Sequence, residues 1–268
     1  MIKKRKILKK SFLKKIEPRE HARPQARANF WLLIIFIVVI GRVLLLQPSS
    51  TGAVIADPYL IMYDPLESEA TIIANNGMMS GLEFVRGHLG KGAFYKYGDS
   101  LVYDAPNGFS KDRGAIEMWI KPNWEPGSRS EDDHVFFSAY DKDFPKKRKI
   151  ELYYDTAHTT IILRAVMDNK EYKALFSGSA NPWFKGQWHH IAATWGPKYG
   201  VRVYLDGVER GYYRTEGSLV YDVNIDINPS ELIIGRANQA GYEEYYPADA
   251  VIDEIKVYNE EKTNFIII

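Results

Sequence analysis

The feature that most constrains this chain is a series of short runs, rich in β-branched and aromatic residues, that begins just after residue 58. Turn sequences separate the runs, among them Asn75-Asn76-Gly77, Pro106-Asn107-Gly108 and Asp206-Gly207. Short strands at regular spacing, without long helical patterns between them, are typical of an antiparallel β-sandwich. The runs cover residues 60–63, 115–120, 134–140, 149–154, 159–167, 188–195, 201–206, 231–235 and 250–258.

Alternation of residue types within a run predicts which side chains share a face of the strand. In the run at 201–206, Val201, Val203 and Leu205 share an apolar face, while Tyr204 lies on the other face. The Asp206-Gly207 pair that follows favours a tight type I′ hairpin turn. We therefore expect a second strand to pair with this run directly after the turn.

The same rule gives an unusual result in the run at 250–258. Strict alternation puts Asp253 on the apolar face, together with Val251 and Ile255. An ionised carboxylate that points toward a core needs a partner. Asp253 is therefore a candidate for a special role.

An apolar segment precedes these runs. Residues 30–46 (FWLLIIFIVVIGRVLLL) are 17 residues long, and only Arg42 is charged. As a helix the segment would span about 26 Å at about 1.5 Å per residue, near the short end for a bilayer core of about 30 Å. The basic residues from Lys3 to Arg27 precede it, and the positive-inside rule then places the N-terminus in the cytoplasm. A cleavable signal peptide, cut after Val54-x-Ala56, is the alternative.

The chain thus divides into four parts. They are a basic cytoplasmic arm at 1–29, a transmembrane signal-anchor helix at 30–46, a linker at 47–58 and a β-sandwich at 59–268. Of the 35 Lys and Arg residues, twelve lie in 1–46 beside two acids, which leaves 23 basic and 32 acidic residues in the rest. A basic arm beside an acidic body indicates two environments and argues against a nucleic-acid-binding surface. With no cysteine in the chain, disulfides and zinc–thiolate sites are excluded.

Several motifs resemble those of the laminin-G-like (LamG) domains of the concanavalin A-like lectin/glucanase superfamily. The resemblance covers about residues 59–260 and implies an antiparallel two-sheet jelly roll. It rests on GKGAF (90–94), GAIEMWIKPNW (114–124), QWHHIAATW (187–195), VRVYLDGVERG (201–211), ELIIGRA (231–237) and AVIDEIKVYN (250–259).

The resemblance also implies a structural calcium ion, because many relatives hold one where the first and last strands meet. It would put Asp253 among the metal ligands, with Asp64 of the first strand. Hard cations take several oxygen ligands, so a carboxylate on an apolar face fits this need. The other interpretation is that Asp253 accepts backbone N–H bonds without a metal.

The chain lacks the pattern that hydrolases on this fold require. Glycoside hydrolysis needs two carboxylates that flank the scissile bond, and the Glu-x-Asp-x-Glu run of the glucanase relatives is absent. Glu131-Asp132-Asp133 is the nearest approach, whereas Glu117 and Glu151 are isolated among apolar neighbours. His189 and His190 point to opposite faces of a strand, so at most one of them could face a site. The sequence therefore favours a protein that is not an enzyme.

A non-catalytic binding module remains, anchored to the membrane and facing outward. Its partner would be a glycan or another component of the cell envelope; the alternative is a structural subunit that docks a protein. Aromatic and planar polar side chains suit sugars, although Trp119 could equally belong to the core. The apolar terminus Phe265 to Ile268 could dock a partner or pack on its own sandwich. The candidate ligand-binding residues are Glu117, Trp119, Tyr153, Arg164 and Tyr204.

Overall fold

Seventeen strands and one short helix make up the part of the chain that the structure, a computed structural model, describes. This part comprises residues 57–125, 133–177, 185–212, 214–215, 218–219, 223–237, 247–265 and 267. It lies within one compact unit, Ala56–Ile268. The basic arm, the apolar segment and nearly all of the linker lie outside it. Among the described residues no helix is long and apolar enough to cross a bilayer.

The strands follow one another closely, and the helix α1 (Glu69–Ala74) lies between the first two. They are β1 (Leu60–Asp64), β2 (Gly77–Ser80), β3 (Glu83–Arg86), β4 (Lys91–Tyr95), β5 (Ser100–Asp104), β6 (Gly114–Pro122), β7 (His134–Asp141), β8 (Arg148–Asp155), β9 (Thr160–Met167), β10 (Lys170–Ser177), β11 (His189–Trp195), β12 (Arg202–Leu205), β13 (Val208–Tyr212), β14 (Arg214–Thr215), β15 (Ser218–Leu219), β16 (Pro229–Ile234) and β17 (Ala250–Tyr258).

Two large sheets form the sandwich that the sequence predicts. Sheet 1 has the order β13-β12-β11-β6-β17-β4-β3, and β1 also pairs with β17. Sheet 2 has the order β10-β9-β8-β7-β16-β5-β2. Every pairing in the two sheets is antiparallel. The all-β antiparallel fold is therefore confirmed.

The core lies between the two sheets and consists of side chains from their inner faces. Its largest fully buried members include Trp195 and Tyr95 from sheet 1 and Phe136, Phe137 and Tyr154 from sheet 2. Alternation assigned the faces of β12 correctly, since Val203 and Leu205 lie in this core and Tyr204 does not. Close packing of large aromatic side chains gives the domain its stability without disulfides.

The tight turn after β12 matches its prediction. Asp206 and Gly207 join β12 to β13 with φ values of 50° and 72°. Positive φ at both central residues is the signature of a type I′ turn. The strand β10 was not among the predicted runs; it begins with the adjacent charged residues Lys170 and Glu171. The six-residue helix α1, which buries only Ile72, was missed because it is too short to show a helical period.

Strict alternation was wrong for the last strand. A β-bulge interrupts the pairing of β17 with β6 between Asp253 and Lys256, and Glu254 has a φ of 55°. Ala250 and Ile252 lie in the core before the bulge, and Ile255 and Val257 lie there after it. The extra residue shifts the alternation by one position, so that the residues after the bulge point to the opposite face from the one that strict alternation predicts. Asp253 therefore pairs opposite Trp119 on the outer face of sheet 1 and does not point into the core.

Candidate functional site

The five predicted ligand-binding residues lie on two different surfaces. Glu117, Trp119 and Tyr204 belong to the face of sheet 1 that points away from sheet 2, because their strand neighbours fill the core. Tyr153 and Arg164 belong to the outer face of sheet 2 for the same reason. Alternation identifies the outward side of a strand but not the sheet to which that strand belongs. The sequence therefore grouped residues that the fold separates.

The carboxylate of Glu117 is engaged by three neighbouring side chains of the same sheet. Its side chain is 3 % exposed, His190 Nε2 lies 2.9 Å from Oε2, and Lys256 Nζ lies 3.4 Å from Oε1. The Tyr258 hydroxyl donates a hydrogen bond to the same carboxylate. Burial alone would raise the pKa of Glu117, but these hydrogen bonds and the Lys256 charge outweigh it and lower the pKa to about 2. Glu117 is an ionised structural carboxylate.

Tyr204 is covered by the C-terminal segment, which we define as residues 259–267. Phe265 packs on Tyr204 with ring centroids 4.9 Å apart, and Tyr204 is only 2 % exposed. Burial and the nearby Glu209 carboxylate raise the pKa of Tyr204 to about 12. The described part of the apolar terminus thus packs on its own sandwich, one of the two alternatives that the sequence left open.

Trp119 belongs to a partly exposed cluster, which we call the aromatic platform: His88, Trp119 and Trp188. The rings of His88 and Trp119 stack 3.6 Å apart at 11°, and Trp188 meets His88 edge-on at 5.8 Å. Lys121 Nζ lies 5.0 Å from the centroid of the Trp188 ring. His88 therefore covers one face of Trp119, and the three partly exposed rings form an apolar patch with a cation at its rim. A patch of this kind can bind a ligand that has both apolar and polar edges.

Asp253 holds the turn that carries His88. Its Oδ2 accepts hydrogen bonds from the backbone N–H groups of His88 at 2.8 Å and Leu89 at 3.0 Å, and Oδ1 accepts one from Glu254 at 2.9 Å. A Cβ on Gly87 would lie 2.5 Å from Oδ2, so only glycine allows the turn to approach so closely. Burial raises the pKa of Asp253 to about 7, although the two N–H groups of the turn act in the opposite direction.

The arrangement around the two aspartates does not fit a calcium ion that both would bind. Asp64 is fully buried, and its oxygens accept hydrogen bonds from the Leu66 N–H and the Tyr103 hydroxyl, each at 2.8 Å. The oxygens of Asp253 face N–H donors. Within the described residues no three His, Cys, Asp or Glu side chains are grouped to hold a metal. Calcium binding stays a prediction from the sequence.

The outer face of sheet 2 carries a second polar cluster. Arg164 Nε donates to Glu151 Oε2 at 3.0 Å, Tyr140 donates to Oε1 at 2.8 Å, and Lys149 Nζ lies 3.1 Å from Oε2. The Arg164 guanidinium also lies 5.4 Å from the ring of Tyr153. Burial opposes ionisation of Glu151, but the charges of Arg164 and Lys149 outweigh it and lower its pKa. Most of this cluster's hydrogen-bonding capacity is used internally.

Among the residues that the structure describes, the proposed acids form no arrangement that resembles a hydrolase. Glu117 and Glu151 lie on the outer faces of different sheets, so they cannot flank one glycosidic bond. In the third acidic candidate, residues 131–132 lie outside the described part, and Asp133 accepts the Thr156 N–H at 3.2 Å. His189 Nδ1 lies 3.0 Å from Asp206 Oδ2, at the start of β11.

Two members of the platform were missed by the sequence analysis. His88 lies in a glycine-bounded turn, and no residue pattern there indicates that it stacks on a tryptophan. Trp188 is the first residue of the predicted run at 188–195 and lies just before β11, but it was not among the candidate ligand-binding residues. The signal available was the tryptophan content of two motifs whose strands, β6 and β11, turn out to be neighbours.

Comparison with known proteins identifies the class. The family model described as the concanavalin A-like lectin/glucanases superfamily, Laminin_G_3, matches residues 96–264, more than half of the chain. This protein therefore belongs to the Laminin_G_3 family. No curated protein sequence matches it.

Solved structures show the same fold at low identity. Domain 4 of AbnA, an extracellular arabinanase from Geobacillus stearothermophilus solved with arabinotriose, is 17% identical, with a TM-score of 0.50 over 76% of this chain and 93% of that domain. A structure of botulinum neurotoxin type C, whose cell entry depends on interaction with two ganglioside molecules, is 10% identical, with a TM-score of 0.52 over 76% of this chain and 48% of that chain. The botulinum neurotoxin DC binding domain, solved with rat synaptotagmin II, is 9% identical, with a TM-score of 0.53 over 76% of this chain and 49% of that chain. The chain spans about half the length of these toxin chains.

Proposed function

We propose that this protein is a non-catalytic binding module that recognises a glycan of the cell envelope. The observation that carries the proposal is the aromatic platform of His88, Trp119 and Trp188. Sugars present flat C–H faces to aromatic rings and hydroxyl edges to polar groups, and Lys121 supplies a polar group at the rim. Bound arabinotriose in the AbnA domain and the two gangliosides on which cell entry of botulinum neurotoxin type C depends agree with this ligand class.

The non-catalytic part of the proposal rests on the carboxylates. Glu117 and Glu151 are each compensated by bases within their own sheet, and the two sheets hold them apart. A general acid needs a carboxyl that is protonated near neutral pH, whereas the pKa of Glu117 is lowered to about 2. Incubation of the domain with arabinan, cellulose or chitin should release no reducing sugar.

The binding test uses residues 56–268, which form a compact unit. We expect reproducible binding to a defined sugar class on a glycan array. Trp119→Ala and Trp188→Ala should each weaken that binding at least about tenfold, because loss of a central aromatic anchor typically costs more than 1.4 kcal/mol. Tyr97→Ala is the control, since Tyr97 is 75% exposed and outside the platform. Unchanged affinity in both tryptophan variants, with intact melting transitions, would overturn the site.

Docking of a protein is the second candidate function. The outer face of sheet 2 supports it, because Arg164 and Tyr153 are residue types enriched at interfaces and Leu175 beside them is 49% exposed. The synaptotagmin complex of a structurally similar toxin domain agrees with such a role. Leu175→Asp should abolish co-purification of a membrane partner and leave glycan binding unchanged. A domain that binds no sugar, but retains a partner through this face, would favour the second function.

A further inference from the structure

A cavity opens on the outer face of sheet 2, whereas the aromatic platform lies on the outer face of sheet 1. Ile233 of β16 lines it, and this side chain points outward because its strand neighbours Leu232 and Ile234 lie in the core. The cavity has a volume of about 170 Å³, which is room for about six water molecules at about 30 Å³ each. Pockets for drug-sized ligands begin at about 300 Å³. A ligand of this cavity is therefore small.

A β-bulge forms one side of the cavity. The pairing of β16 with β7 is shifted by one residue, so that Ser230 and Glu231 together stand opposite Tyr140. The bulged strand stays attached to β5, because the Ala105 N–H donates to the Ser230 carbonyl oxygen at 2.8 Å. A bulge bends its strand and redirects side chains, and bulges are frequent next to active sites. Here the bulge places two polar side chains at the rim of the cavity.

The turn after β7 forms another side, and Asp141 holds this turn in place. One oxygen of the Asp141 carboxylate accepts the N–H groups of Asp143 at 2.9 Å and Phe144 at 3.0 Å. The other oxygen accepts the N–H of Asn228 at 2.9 Å, just before β16. The same carboxylate thus ties together the two segments that enclose the cavity. A wall that is already ordered before binding lowers the entropy cost of binding.

The apolar part of the lining comes from the Tyr140 ring, Pro145 and Ile233. The ring of Tyr140 is fixed in place, because its hydroxyl donates to Glu151 Oε1 at 2.8 Å. Small-molecule sites typically combine apolar surface with a few polar groups that fix the orientation of the ligand. The apolar part of this cavity suits the C–H groups of a ligand.

Three exposed polar side chains, Lys142, Ser230 and Glu231, complete the rim. Within the part of the chain that the structure describes, neither Lys142 nor Glu231 forms an ion pair. An ammonium group donates hydrogen bonds and a carboxylate accepts them, so the rim offers both functions to hydroxyl groups. Asp104, opposite Glu231 on β5, adds an exposed carboxylate beside the rim and disfavours an acidic ligand.

We propose that this cavity is a second binding site of the domain, which takes one neutral sugar ring at the end of a glycan chain. The C–H face of the sugar packs on Ile233 and Pro145. Its hydroxyls donate to the Glu231 carboxylate, and Lys142 donates to hydroxyl oxygens. The inference does not depend on the aromatic platform, since the two sites lie on the outer faces of different sheets.

Nuclear magnetic resonance can locate such a site even when binding is weak. Isotope-labelled domain (residues 56–268) would be titrated with the methyl glycosides of glucose, galactose, mannose and N-acetylglucosamine, and with glucuronate and glucosamine as charged probes. We expect at least one neutral glycoside to shift the amide signals of Lys142, Ser230 and Ile233. Lys142→Ala and Glu231→Gln should each weaken that binding about tenfold, because each removes a hydrogen bond to a charged group.

A variant that fills the cavity sharpens the test. Ser230→Tyr should abolish the binding, because the added ring occupies the rim. Ser80→Tyr is the matched control, since Ser80 is exposed on the same outer face, on β2, and does not line the cavity. Its affinity should equal that of the wild type, and melting curves of both variants check the fold.

The same spectra separate this inference from the proposed function. Shifts confined to the signals of Trp119 and Trp188 would overturn the inference and leave the proposed function standing. Shifts at the cavity with neutral glycosides, while the platform signals stay unchanged, would support the inference and count against the platform. No shift at the cavity, or a shift there with glucuronate or glucosamine alone, would overturn the inference. Equal affinity of Ser230→Tyr and the wild type would overturn it as well.

Discussion

Glu117 and Glu151 occupy comparable positions on opposite outer faces, and each shows how a buried charge is kept in this protein. Each side chain is 3 % exposed and contacts at least one cation together with a tyrosine hydroxyl. Removing one partner from such a group leaves the others buried and unpaired, which costs more than the pair itself contributes. At the scale of the residue, the carboxylates of both glutamates are engaged in ion pairs and hydrogen bonds within the fold.

Glu117 should make the domain sensitive to acid. Because its pKa falls from the ordinary 4.5 to about 2 in the folded state, its stabilising contribution is complete above about pH 4.5 and is lost as the pH falls through about 2. Glu117→Gln should lower the free energy of unfolding by about 1–3 kcal/mol at pH 7. The deficit should shrink as the pH approaches 2.

Urea unfolding at a series of pH values measures this effect. Glu231→Gln is the matched control, since Glu231 is exposed and should change little at any pH. A Glu117→Gln deficit that is the same at pH 7 and pH 2.5 would show that the carboxylate charge is not what stabilises the fold.

At the scale of the element, the bulge in β17 and the turn between β3 and β4 act together. The bulge places Asp253 on the outer face, where its carboxylate accepts hydrogen bonds from two N–H groups of the turn. This fixes His88 over Trp119. A β-bulge that re-aims one side chain next to a site is a common device in sheet proteins. Asp253 is therefore a positioning residue for the platform.

Replacement of Asp253 distinguishes this role from calcium binding. Asp253→Asn keeps the size of the side chain but turns one acceptor oxygen into an NH₂ donor, so we expect a loss of about 1–3 kcal/mol, or about 2–4 °C in Tm for each kcal/mol. Glycan affinity should fall as His88 loses its support. Because backbone N–H groups already occupy the oxygens of Asp253, a chelator should leave the wild-type Tm unchanged.

Scanning calorimetry with calcium and with chelator provides the readout. Asp104→Asn serves as control, because Asp104 is exposed and outside the turn. If chelator lowers the wild-type Tm and has no effect on Asp253→Asn, the calcium prediction from the sequence is right and the positioning role is incomplete, since an ion that binds only the folded state stabilises it.

At the scale of the whole molecule, the predicted anchor and linker would hold the sandwich close to a membrane. Twelve linker residues (47–58) span at most about 40 Å when fully extended. A module tethered in this way would meet ligands near the bilayer surface. We propose that residues 1–29 are cytoplasmic and that the sandwich faces outward, since the basic residues of the arm precede the apolar segment.

Cell fractionation tests the anchor. The full chain should remain in the membrane fraction after carbonate and high-salt washes, while a chain that starts at Asp57 should be soluble. Intact mass of the purified protein separates the two alternatives, because signal cleavage after Ala56 would leave a protein that begins at Asp57. Recovery of only that shorter form in the soluble fraction would exclude an uncleaved anchor.

The sequence by itself determined the fold class, most strand positions and the type I′ turn at Asp206-Gly207, because these depend on local alternation and on positive φ. It also determined the outward side of β12, whereas strict alternation was wrong for β17. Only the tertiary structure decided that Tyr153 and Arg164 lie on a different sheet from Trp119, that a bulge re-aims Asp253, and that Phe265 covers Tyr204. These facts depend on pairings between residues far apart in the chain, which local alternation cannot specify.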